Sequence, residues 1–158
     1  MNKGERISHF VRSLECREAD DVTGNDIRGN QFYRAFFRCW NKQQYYEAHD
    51  VLEHLWLQTK SEDAQYFKGL IQSAGAFVHL KKQFEHPTHP KHGRRLAPAV
   101  RLFRLAEKNL APFTPLRHGL DVAKLRQLLN EYAHTILDSD HKINPWSPAK
   151  PPILQVEL

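Results

Sequence analysis

The sequence predicts an all-α fold: a compact, irregular bundle of about five core helices, preceded by a short amphipathic helix and followed by an extended, proline-rich tail. Three observations carry this. Apolar residues recur at helical spacing in six stretches, Gly, Pro, Asn and Asp cluster between those stretches, and no segment reads as a strand. At 158 residues with 41% hydrophobic and 26% charged side chains, the chain is the size and composition of one folded domain.

Ile7, Phe10, Val11 and Leu14 stand at i, i+3, i+4 and i+7, which predicts a short N-terminal helix. Asp20 to Asn30 reads as a loop, so residues 1–30 form a helix-and-loop segment ahead of a helical core over 31–140. A first core helix is expected over Phe32 to Trp40, breaking near Asn41, and a second over Gln44 to Lys60. Thr59 and Glu62 have capping-box spacing for a third, from about Glu62 to Phe84. The Pro- and Gly-containing run Glu85 to Leu96 is an expected exposed loop, and Pro98 suits the first turn of a fourth helix ending near Leu110. Asp121 is placed to cap a fifth, in which Val122, Leu125, Leu128, Leu129, Tyr132 and Ile136 keep the helical period. In the tail, residues 141–158, Pro145, Pro148, Pro151 and Pro152 oppose helix while Trp146, Ile153, Leu154 and Val156 call for a surface to lie on.

Charges scattered through the first residues leave no apolar core for a signal peptide, and the most apolar run, Gly69 to Leu80, is about half of the roughly 20 residues a span needs. Two cysteines, Cys16 and Cys39, suggest neither a disulfide framework nor a zinc ribbon. These features point to a soluble, cytoplasmic protein with no membrane partner. A net charge of +5 and a pI near 9.3 are too small an excess to argue for nucleic acid.

Helical spacing puts Tyr45, His49, Leu52 and Trp56 on one stripe of the second core helix, with Glu53 beside it. An imidazole there needs a partner, and Glu53, one turn on, is the nearest. On the third helix, Gly69, Gly75 and Ala76 imply close approach of neighbours, while Gln72 and His79 lie on one side near Gly75. The candidate polar cluster is therefore His49, Asp50, Glu53, Trp56, Gln72 and His79, with His49 and Glu53 expected to be largely buried, within reach of each other and facing the third helix near Gln72 or His79.

The run Tyr45-Tyr46-Glu47-Ala48-His49-Asp50-Val51-Leu52-Glu53-His54-Leu55-Trp56, followed by Lys68-Gly69-Leu70-Ile71-Gln72-Ser73-Ala74, resembles the family known as domain of unknown function 309. Its pattern is close to Y-x-x-A-H-E-x-L-E-x-x-W and then G-L-I-Q-x-A. The resemblance spans about Phe32 to Phe113, with an echo in Gly119-Leu120-Asp121, and implies a compact helical array; no function is established for the family. Asp50 stands where the family has Glu, which keeps the charge and shortens the reach.

Three classes of function compete. The first reading makes the cluster a structural network that fixes helix packing. The second makes it a metal or catalytic site for a divalent ion, with His49, Glu53 and His79 as ligands and Gln72 or Asp50 completing it; the chain lacks H-E-x-x-H, a nucleophile elbow and a phosphate-binding glycine loop. The third is an interaction module. Arg101, Arg104 and Lys108, preceded by Arg94 and Arg95, form a basic stripe with no interleaved aromatics to stack bases, so an ordinary solvated face is expected. Trp40, Trp56, Trp146 and the tail leave a homo-oligomer open as a partner. His86, His89 and His92 would chelate metal only adventitiously from a loop.

Overall fold

A computed structural model describes residues 2–14 and 26–158 of the chain. Among these are six α-helices: α1 (Lys3–Leu14), α2 (Gln31–Asn41), α3 (Tyr45–Gln58), α4 (Asp63–Glu85), α5 (Leu96–Leu110) and α6 (Val122–Asp138). Residues 15–25, which include Cys16 and much of the expected loop Asp20 to Asn30, lie outside the described residues. None of the described helices is long and apolar enough to cross a membrane.

Asn30 starts α2, its Oδ1 accepting from Phe32 N at 2.8 Å and Tyr33 N at 3.2 Å. The helix then buries Phe32, Tyr33, Phe36, Phe37 and Trp40. α4 is the central helix. It packs against α3 on one side and α5 on the other, and its small residues permit this: a Cβ on Gly69 would meet Leu110 Cγ at 2.7 Å, and one on Gly75 would meet Leu102 Cδ1 at 3.2 Å. Tyr45, Phe77, Phe103 and Trp40 join in edge and stacked ring contacts across α2–α5.

Two details correct the sequence reading. Thr59 does not open α4; it closes α3, its Oγ1 donating to Leu55 O at 2.7 Å, and Ser61 Oγ accepts from Asp63 N instead. A small hairpin is also present, β1 (Leu116–Arg117) paired antiparallel with β2 (Leu120–Asp121). Its two-residue turn uses left-handed backbone at His118 (φ 46°) and Gly119 (φ 82°), the twist that a tight hairpin requires. Four residues with one polar neighbour are too short to leave a periodic signal. Asp121 then caps α6, accepting from Lys124 N at 2.9 Å.

Residues after α6 form no further helix. Asn144 Nδ2 donates to Leu80 O, and Trp146, 2% exposed, donates its Nε1–H to Tyr45 Oη at 3.0 Å. A turn at Ser147–Lys150 interrupts the expected extended run. Beyond it, Trp40 Nε1 donates to Pro152 O at 2.9 Å, Asn41 bonds both backbone groups of Leu154, and Val156 bridges to Leu120. Leu154 is buried, whereas Ile153 is 56% exposed.

Candidate functional site

The polar residues of the α3–α4 face separate into three groups. On α3, His49 Nδ1–H donates to Asp50 Oδ1 at 3.1 Å, and His49 Nε2 lies 3.8 Å from Glu53 Oε2, beyond hydrogen-bond reach. His49 and Glu53, expected to be largely buried, keep 32% and 30% of their side chains exposed, and Asp50 beside them 20%. The wheel argument places His49 correctly toward α4, since its Cδ2 is 3.9 Å from where a Gly75 Cβ would be. It fails on depth: Leu102 of α5 already packs over Gly75, and the imidazole lies at the edge of that contact beside the partly exposed Asp50 and Glu53.

The partner of this acidic patch comes from α1. Lys3 Nζ donates to Glu53 Oε1 at 3.3 Å and lies 3.9 Å from Asp50 Oδ1. The hydrogen bond to Glu53, then the charge of Asp50, hold the ammonium above its usual range. Trp56 is half-buried against the core.

Gln72 and His79 are engaged elsewhere. Gln72 Oε1 accepts from Asn109 Nδ2 of α5 at 2.7 Å. His79 Nδ1 accepts from Arg95 Nη1 at 3.0 Å, since a guanidinium has no acceptor. Burial, then the charges of Arg95, Lys82 and Arg101, push the His79 imidazole down to about 4. Among the described residues no three His, Cys, Asp or Glu side chains gather as a metal-holding group. The basic stripe is likewise divided: Arg101 and Lys108 are exposed, but Arg104 donates to Glu107 at 3.0 Å and to Asn130 at 2.7 Å.

Sequence reasoning missed a denser polar cluster at the start of α4. Asp63, whose side chain is 13% exposed, accepts on Oδ1 from His118 Nε2 at 2.8 Å and from Arg117 Nη2 at 2.7 Å and Nε at 3.0 Å. Arg117 also reaches Glu62 and stacks over Phe113. Beneath lie two buried hydroxyls, Tyr33 and Tyr66, 2.8 Å apart. With one proton each, the shorter contacts are made when Tyr66 donates to Tyr33 at 2.8 Å and Tyr33 to His118 O at 3.0 Å, Arg117 O lying farther from Tyr66 Oη at 3.3 Å. Burial first of all raises both phenols beyond their ordinary range. The same hairpin, α6 and the tail enclose an open cavity of about 750 Å³ lined by Leu116, Gly119, Lys124, Leu128, Ile153 and Val156.

Comparison with known families places the centre of this architecture. Residues 33–87 match the family model described as Domain of unknown function (DUF309). The match runs from the first turn of α2 to the end of α4 and contains every residue of the polar cluster, so the expected resemblance holds over a shorter span than Phe32 to Phe113. Asp121 and the hairpin fall outside it. No curated protein and no solved structure matches the chain.

Proposed function

We propose that the DUF309 segment of this protein is a non-catalytic helical module in which His49, Asp50 and Glu53 are a structural latch for α1. The observation that supports this reading is the Lys3 ammonium on the two carboxylates, together with the commitment of Gln72 to Asn109 and His79 to Arg95. On this reading His49 orients Asp50, and the pair with Glu53 offers α1 a negative seat. The test is to treat purified full-length protein with a chelator, measure its metal content before and after, and compare melting temperatures. The latch reading expects no stoichiometric divalent ion and an unchanged melting temperature. A metal released in step with a fall in melting temperature overturns it.

One observation favours a second reading. Asp50 on Nδ1 leaves Nε2 of a neutral His49 as a lone pair, partly open to solvent and facing Glu53, as in a carboxylate-oriented ligand or base. On that reading Glu53→Gln lowers metal occupancy more than it lowers stability.

A further inference from the structure

The loop between α4 and α5 is tied down by imidazole lone pairs. His89 Nδ1 accepts from two backbone amides, Lys91 N and His92 N, each at 3.0 Å. His92 Nδ1 accepts from Arg95 Nη2 at 2.7 Å and Nε at 3.1 Å, and the same guanidinium donates Nη1 to His79 Nδ1. Arg95 thus sits between two histidines at the start of α5, where its own amide donates to Gln83 Oε1 at 2.7 Å. Every partner of these three Nδ1 atoms is an N–H that cannot reverse its role. All three rings must therefore be neutral, with the proton on Nε2, for the loop to hold.

The charged groups acting on His92 and His79 offer a protonated ring no compensation. His92 faces Arg95, His89, Lys82 and His86, and His79 faces Arg95, Lys82 and Arg101; these come from α4, the loop and α5, and none is a carboxylate. His86, His89 and His92 themselves lie with ring centroids 4.5–6.4 Å apart, so each added proton also repels its neighbours.

We propose that residues 86–95 form a proton-operated latch, in which protonation of His89 and His92 turns acceptors into donors facing N–H groups, releasing Arg95 and loosening the first turn of α5. His79 is the inner seat. It holds its lone pair to lower pH than an ordinary imidazole.

The test is amide hydrogen exchange on the full chain between about pH 7.5 and about pH 5, corrected for intrinsic rates, read at Lys91, His92 and Arg95 beside the ring nitrogen shifts of His89 and His92. Wild type is expected to lose protection roughly ten-fold in step with ring protonation. The double variant His89→Asn, His92→Asn keeps an acceptor near each Nδ1 position but cannot titrate, and its protection is expected to stay flat. Rings that protonate while the amides stay protected overturn the latch, as does a variant that loses protection over the same range as wild type. Should the variant already be open at pH 7.5, wild type decides alone: amides that follow the rings support the latch, and amides that do not overturn it.

Discussion

Asp63 at the start of α4 and His79 towards its end each seat an arginine, and they do it with opposite chemistry. At the first turn the seat is a carboxylate: Asp63 takes both Arg117 and His118 from the hairpin, where the helix N-terminus itself favours negative charge. Towards the other end the seat is a neutral ring, His79, which takes Arg95 with Lys82 and Arg101 nearby and no carboxylate facing it. The first arrangement joins opposite charges and stays joined when the imidazole gains a proton. The second depends on a lone pair that a proton removes. One helix therefore carries a tie that needs no ring lone pair and another that depends on one.

The largest effect expected is from Asp63→Ala, which strands a partly buried guanidinium and imidazole and should cost about 2–4 kcal/mol in denaturant unfolding. Arg95→Ala removes hydrogen bonds from neutral acceptors at a more open site and should cost about 0.5–1.5 kcal/mol. Equal costs, or the reverse order, would break the comparison. Next come the hydroxyls beneath Asp63. Tyr33→Phe leaves His118 O without its donor and turns the Tyr66 hydroxyl to the longer contact with Arg117 O at 3.3 Å, and should cost about 1–2 kcal/mol, against about 1 kcal/mol for Tyr66→Phe, which leaves the Tyr33 bond to His118 O in place. The order of the two midpoints checks the assigned direction of the hydroxyl protons.

How much of this was legible depended on whether a partner was local. Helix positions, the Asp121 cap and the close packing at Gly69 follow from spacing and backbone chemistry within a few residues, and the structure has them. His49 toward Gly75 was legible from the wheel for the same reason. The exposure of His49 was not, because it depends on what α5 leaves uncovered. The Asp63 cluster was illegible: its ties from Tyr33 to Tyr66, from Asp63 to His118 and from Tyr33 to His118 span 33, 55 and 85 residues, and the last two depend on a hairpin of two-residue strands. Gly119-Leu120-Asp121 was the one visible trace. The ammonium of Lys3 over Glu53, 50 residues away, had no sequence signature at all.

The pH comparison sharpens the contrast. His79 is held at about 4 in the fold against an ordinary 6.5, so unfolding takes up a proton between those values. Its neutral form contributes stability that is fully present above 6.5 and is lost as pH falls towards 4, with no further loss below. For a half-buried ring the loss should be on the order of 1 kcal/mol after solvent screening. His79→Asn should flatten that part of the stability profile, checked by melts across the range. An unchanged slope would place the acid-sensitive group elsewhere.

The smallest effect is expected where the candidate site meets α1. Lys3 is 57% exposed on its side chain, so its attraction to Glu53 and Asp50 acts through water, and Lys3→Met should cost under about 1 kcal/mol. Methionine keeps most of the apolar stem, which isolates the charge from the packing of the helix. A difference that vanishes near 1 M salt, where the screening length is about 3 Å, is the expected result for an exposed ion pair. If the difference survives salt, the contribution of residue 3 is packing, and the acidic pair on α3 is not what fastens the helix. If the cost instead exceeds about 2 kcal/mol and salt removes it, the patch is less hydrated than its exposure indicates, and the contrast between a screened site on α3 and a buried one at Asp63 would have to be redrawn.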